Sequence, residues 1–571
     1  MVTGSATVRC LIYNKETLNT MNACSRTIVR VGLPLLVACT FAHCQPPADT
    51  TLEGKVAGRL KQRDRAGAVK VVVEALEKDP QGAVAAELLS IAFDYSVMIG
   101  QDGVLEDALM AWVTAQPNSA IARCWMAKAA VHRGGKGAAL EQCRKALELD
   151  PNCPDAHFGS ATALELLGQA EKAQAEWRRF LELEPDSERA WLVRHGLVVV
   201  EARVLTAAKT VDTEWDPSWS PDGKQIAYRN GWEGALSVAR VDTGEVRPLA
   251  VVAEKLGSVD WSPDGKSILC TGASADWKTT RLYLVDAVAG GAAALLHEVS
   301  PSYNARWAPD GARVIFDAAS RAGLRVLTVG GAGEKPVPGY AALHNFHTYP
   351  SFSPDGQNVC TSGGKPTNRE IFLWPFATGS PQVQLTKNGG MNNFPLVRPD
   401  GKTVLFASRT EGKQFHLRAA SLDDPGRDVL CLRCFFGDDY GPSAEWSPDG
   451  KRFVTPRPFS GRLWVAALNG LDTRPLKLTA TQQTGGLLVS LASASAETQT
   501  ANVRYQLFAP SSVRLGDGVV GRDAMTLKPG EVVECPVALE AVKAAGPYTV
   551  KLTAVTEHGE RVVELVDYAA K

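Results

Sequence analysis

The sequence predicts a multidomain chain that is α-helical first and all-β afterwards: an α-solenoid, a six-bladed β-propeller and a C-terminal immunoglobulin-like β-sandwich. Three observations predict it. An aromatic-Ser-Pro-Asp-Gly turn, with variations, occurs six times, its prolines at 221, 263, 309, 354, 399 and 448. Upstream, Pro46, Pro80, Pro117, Pro151 and Pro185 are separated by 34, 37, 34 and 34 residues. Downstream of Thr479, apolar residues alternate with polar ones in short segments.

Composition limits the function classes. A chain of 571 residues is too long for one core, so several domains are expected. Lys+Arg total 61 against Asp+Glu 62, a formal net charge of −1 with no long block of one sign. That argues against a nucleic-acid or polybasic membrane role. Outside the N-terminus no apolar run reaches the roughly 18 residues of a membrane helix.

The first segment, 1–39, reads as an export leader, with the functional start at Met1 or Met21. Arg26 and Arg30 supply positive charge and Val31–Ala38 a short apolar stretch. Leu36-Val-Ala-Cys39 resembles the bacterial lipobox, which implies lipidation at Cys39 and an outer-membrane-anchored periplasmic lipoprotein. A soluble exported protein and a cytoplasmic one are the alternatives. Of twelve cysteines, those past Cys44 are scattered and form no disulfide framework. Cys143, Cys270 and Cys360 occupy apolar-periodic positions and read as small core residues.

Residues 45–200 read as paired helices. Ala127, Ala139, Ala161 and Ala173 stand where such helices must cross closely, Gly134 and Gly168 fall at the turns between them, and Trp191 and His195 lie on a final capping helix. The 34-residue period with its closing proline resembles the tetratricopeptide repeat. The resemblance implies a stacked solenoid with a concave face for a partner peptide.

Residues 203–479 hold the six turns. Proline presets φ, aspartate accepts from backbone amides ahead of it, and glycine takes φ > 0. Asp222, Asp264, Asp310, Asp355, Asp400 and Asp449 are therefore structural turn residues. A strand follows each turn, and the steps of 42 to 49 residues are those of propeller blades. The motif resembles the WD40-like repeat of TolB, which implies a six-bladed propeller and protein partners. Either Arg203–Thr206 or Arg474–Thr479 closes the ring. Residues 484–571, after a polar linker, alternate as strands of a small sandwich.

Candidate chemistry is sparse. Gly516-Asp-Gly-Val-Val-Gly521 matches a dinucleotide fingerprint without the strand–helix unit it needs, and reads as a loop. Cys431-Leu-Arg-Cys434 lacks a second pair and reads as structural. His344 and His347, before the inner strand of blade 4, are weak metal candidates, with a solvated loop as the alternative. Asp216, Asn304, His347, Asn393 and Asp439 precede inner strands and are expected to ring a channel mouth, capping strand ends or reading a partner. No G-x-S-x-G or H-E-x-x-H occurs. The expectation is a non-enzymatic envelope adaptor without cofactor or nucleic acid, binding protein partners. A metal-dependent polysaccharide lyase or hydrolase at the channel mouth is the alternative.

Overall fold

The structure, a computed structural model, describes residues 65–78, 102–206 and most of 214–570, with a few positions between 52 and 93. The leader with Cys39, the sides of the first helical units, His344 and Asp439 lie outside the described residues. The chain forms two compact bodies, one of helices up to Glu184 and one from Pro185 onward.

The first body contains α1 (Arg65–Lys78), α2 (Asp102–Ala115), α3 (Ala120–His132), α4 (Lys136–Leu149), α5 (Pro154–Leu166) and α6 (Ala170–Leu183). Local signals set their ends. Ser119 caps α3 by accepting from the Ala122 amide at 3.2 Å, and Pro154 opens α5, where its missing N–H costs nothing. Gly134 and Gly168 take φ of +76° and +72° where α3 and α5 end. The alanines flagged by the repeat are buried, Ala127 and Ala139 beside Cys143 and Ala163 in one cluster. No described helix is long and apolar enough to cross a membrane.

The second body opens with α7 (Glu188–Arg194) and a strand, Val199–Val204. Trp191 of α7 and Leu197 join the apolar core under blades 5 and 6, with Leu396, Leu405, Phe415 and Phe453. The helix expected to cap the solenoid is thus a buttress of the propeller body, because its indole finds an apolar partner surface there. Blade 1 pairs Glu214–Trp219, Gln225–Asn230, Ala235–Arg240 and Val246–Val251 antiparallel, and four similar four-stranded units follow. Blade 6 supplies Glu445–Trp446, Arg452–Pro456 and Leu463–Leu468, and its outermost strand is Val199–Val204. The ring therefore closes with the N-terminal strand. Apolar clusters join each blade to the next, as where Trp219, Ile226 and Tyr228 of blade 1 meet Val454, Leu463 and Val465 of blade 6.

The six turns are built alike. In blade 1 the Asp222 carboxylate accepts from Ser220 Oγ at 2.6 Å and from the Lys224 amide at 3.1 Å. Ser220 Oγ in turn accepts from the Gln225 amide at 2.9 Å. Where the serine is replaced by Ala308 or Arg398, the aspartate takes both amides: Asp310 from Ala312 and Arg313, Asp400 from Lys402 and Thr403.

The strand Leu476–Gln483 pairs with Gly486–Ser493, which pairs with Val532–Ala538. This places the described part of Arg474–Thr479, one of the two candidates for closing the ring, and the linker after it with the terminal sandwich, where Leu476 and Leu478 enter the core. The second sheet runs Arg514–Val519, Gln499–Phe508, Gly546–Thr556, Arg561–Ala570, with Met525–Leu527 alongside. Leu487, Leu491, Val503, Leu507, Val550 and Leu552 fill the space between the two sheets.

Candidate functional site at the covered channel mouth

Six equivalent residues precede the turns by one position: Ser218, Asp260, Arg306, Ser351, Leu396 and Glu445. Three of them, from blades 2, 3 and 6, meet across the channel. Arg306 Nη1 donates to Asp260 Oδ1 at 3.1 Å and to Glu445 Oε2 at 2.8 Å. Asp260 also accepts from the Trp307 amide at 2.6 Å, and Ser218 Oγ donates to it at 3.4 Å while accepting from the Trp261 amide. Burial raises the Asp260 carboxyl above its ordinary range despite Arg306. Burial likewise pushes Glu445 up to about 7, against the pull of Arg306 and helped by the Asp260 charge. Burial works against the Arg306 charge, yet Glu445 and Asp260 hold the guanidinium firmly protonated.

The sandwich covers the turn end of this channel. Strand alternation explains how: Val503, Leu507, Val550, Leu552 and Ala554 point into the sandwich core, so Arg504, Gln506, Lys551, Thr553 and Val555 face the other way. The turns carry the contact. The Arg514 amide donates to the Asp264 carbonyl at 2.8 Å, and Gln225 Nε2 donates to Ser512 Oγ at 2.8 Å. Lys224 pairs with Asp567 at 2.9 Å and Lys451 with Glu564 at 2.6 Å.

Between the two lies a cavity of about 660 Å³. Its floor includes all six turn prolines with Trp219, Trp261, Phe352 and Trp446, and its roof Arg504, Tyr505, Asp517, Lys551 and Arg561. The floor indoles spend their N–H groups on the carbonyls of Glu445, Gly265 and Leu396, leaving carbon surface toward the cavity. Burial and the neighbouring Arg561 charge bring the Lys551 ammonium down to about 8, with Asp449 opposing. Burial also lowers Arg561, with Asp355 opposing.

Of the residues expected to ring a mouth, Asp216, Asn304, His347 and Asn393 do not line this cavity. Asp216, at φ +48°, accepts from Arg229 Nε at 2.5 Å. Asn304 Nδ2 donates to Asp317 at 3.0 Å, and the buried Asn393 accepts from Arg369 at 3.3 Å. His347 is not part of a solvated loop. It is fully buried, with Nδ1 2.8 Å from Thr361 Oγ1 and its ring edge-on to Phe372 at 5.4 Å and Trp374 at 6.3 Å. The inner strand draws it in because blade 4 surrounds that position with aromatic rings. Among the described residues no group of three His, Cys, Asp or Glu side chains is arranged to hold a metal. Cys431 is packed, its thiol donating to the Leu197 carbonyl at 3.5 Å. The sequence held one signal for the triad, a charged residue one place before the turn in three repeats.

No protein-family model matches the chain. It is 41% identical over 59 residues to the "Uncharacterized peptidase YuxL" of Bacillus subtilis, covering 10% of this chain and 9% of that one. It is 23% identical over 278 residues to "Dipeptidyl-peptidase 5" of Porphyromonas gingivalis, covering 45% of this chain and 40% of that protein. The chain thus spans about a tenth and two fifths of the lengths of these curated relatives. Among solved structures, a TolB from Agrobacterium tumefaciens is 20% identical, with 47% of this chain and 92% of that one covered at a TM-score of 0.38.

Proposed function

We propose that the protein is a non-enzymatic scaffold of the cell envelope that holds protein partners together. In this reading the helical body is a tetratricopeptide solenoid whose groove takes a partner peptide, and the propeller offers the second surface. A lipid on Cys39 tethers the molecule to the periplasmic side of the outer membrane; more than one acyl chain makes such a tether stable. The small buried residues Ala127, Ala139, Ala161 and Ala173 and the left-handed Gly134 and Gly168 support the solenoid reading.

One observation carries the non-enzymatic reading. The channel's charged groups answer one another, Asp260 and Glu445 both on Arg306. The sandwich, held by backbone and side-chain bonds to the turns, covers the turn end of the channel. The alternative, a metal-dependent lyase or hydrolase at the channel mouth, has one of its two candidate histidines, His347, buried in the core of blade 4.

The test has two arms on the full chain in a bacterial host. Metabolic labelling with an alkyne fatty acid is expected to mark the wild type and not Cys39→Ser. Site-specific photocrosslinking from the helical body is expected to trap a discrete envelope partner. Turnover of dipeptide anilides or acidic polysaccharides that disappears in Glu445→Gln would overturn the reading.

A further inference from the structure

We infer that the chamber between propeller and sandwich is a binding site for a small aromatic carboxylate, its anionic head held by Lys551 and Arg561 and its ring laid on the proline floor. The first support is charge left unanswered. The Lys551 ammonium makes no ion pair or hydrogen bond among the described residues, and Arg561 Nε is buried with no hydrogen-bond partner. Turn aspartates Asp355 and Asp449 act on these cations only from beyond contact distance. A buried donor or cation left in this state is costly, and an anion entering the chamber removes the cost.

The acids of the floor do not compete for that role, since Asp260 and Glu445 are bound to Arg306 at 3.1 and 2.8 Å. The depressed Lys551 agrees with a cation held beside another cation without a close counter-ion. The second support is shape. A cavity of about 660 Å³ is in the range of small-molecule sites, and it sets an apolar proline and indole floor against a polar, charged roof that can orient a ligand. The floor of prolines and indole carbon suits a flat ring better than an inorganic ion. The site is independent of the scaffold reading: the chamber lies inside the propeller–sandwich body and uses neither the helical groove nor the lipid.

The experiment uses the full chain. Acetic anhydride labelling of Lys551 at pH 7.5 is followed by peptide mass spectrometry with benzoate, benzamide, benzamidine or inorganic phosphate present. Benzoate at millimolar concentration is expected to slow Lys551 acetylation at least fivefold, with no effect at Lys266 or Lys278 on the exposed surface. Benzamide and benzamidine, of similar shape without the negative charge, are expected to leave it unchanged. Equal protection by benzamide overturns the charge argument, and protection by phosphate equal to that by benzoate overturns the aromatic one. A Lys551 that the reagent does not reach also overturns the proposal, because a chamber closed to acetic anhydride is closed to benzoate. Arg561→Gln is expected to weaken benzoate protection at least tenfold, and unchanged protection in a folded variant counts against it. Should that variant not fold, the wild-type comparison decides alone.

Discussion

His347 and Glu445 titrate in opposite senses across the same pH range. Burial lowers His347 from 6.5 to about 4, so the native state binds fewer protons than the unfolded chain between those values. Its contribution is present above pH 6.5 and lost as pH falls through about 4. Burial raises Glu445 from 4.5 to about 7, so its contribution is present below pH 4.5 and lost as pH rises through about 7. Each effect reaches about 3 kcal/mol at most, and between pH 4.5 and 6.5 they offset. In the wild type these two contributions should cancel there. Glu445→Gln should become steadily more stable as pH rises across the window, and His347→Gln steadily less. Urea unfolding at four pH values measures it, and parallel slopes in the two variants would refute the assignment of either group.

Strand Val199–Val204 holds the propeller closed, and its hydrogen-bond parity gives a test at the level of the element. The Leu205 amide donates to the Leu463 carbonyl, so in the antiparallel ladder Arg203, opposite Val465, is the next residue whose amide faces inward. Val204 faces its amide outward. Arg203→Pro should cost roughly 3 kcal/mol in thermal or urea unfolding while Val204→Pro costs far less; equal costs would mean that the strand does not close the ring. In the helical body, Cys124 and Cys153 lie with sulfurs 3.9 Å apart. Diamide should remove two thiols together, and the disulfide should raise stability by about 3–4 kcal/mol for the loop it closes, with no gain in Cys153→Ser. The blades were legible in the sequence because Pro-Asp-Gly is a local device whose aspartate bonds amides two residues away. The closure was not. Leu476-Lys-Leu-Thr alternates equally well for a propeller strand or a sandwich strand, and the competing strand Val199–Val204 decides between them. His347 was misread for a related reason, since Phe372 and Trp374, which pack on it, come from the third strand of the blade.

At the scale of the propeller–sandwich body, the repeated turn does two jobs that differ from blade to blade. In every blade it links two strands, but in blades 1, 2 and 6 it also supports the sandwich. The chamber and its cations were invisible in the sequence because Lys551 and Arg561 are single alternating residues of ordinary strands. Only the contact with turns far away in the chain turns their outward face into a roof. Glycine substitutions separate the two jobs. Gly265 and Gly311 occupy the same turn position at φ +74° and +68°, so alanine meets about the same left-handed penalty of 1–2 kcal/mol at either site. At Gly265 the added Cβ would stand 1.8 Å from the Ser512 carbonyl oxygen, whereas at Gly311 the nearest atom is Pro263 Cδ at 3.9 Å. Gly311→Ala should therefore lower Tm by a few degrees. Gly265→Ala should lower it further and make the sandwich more susceptible to limited proteolysis, because the sandwich must lift away from the blade 2 turn. Equal melting and equal cleavage in the two variants would mean that the sandwich does not rest on the propeller turns in solution, and the chamber would have no roof.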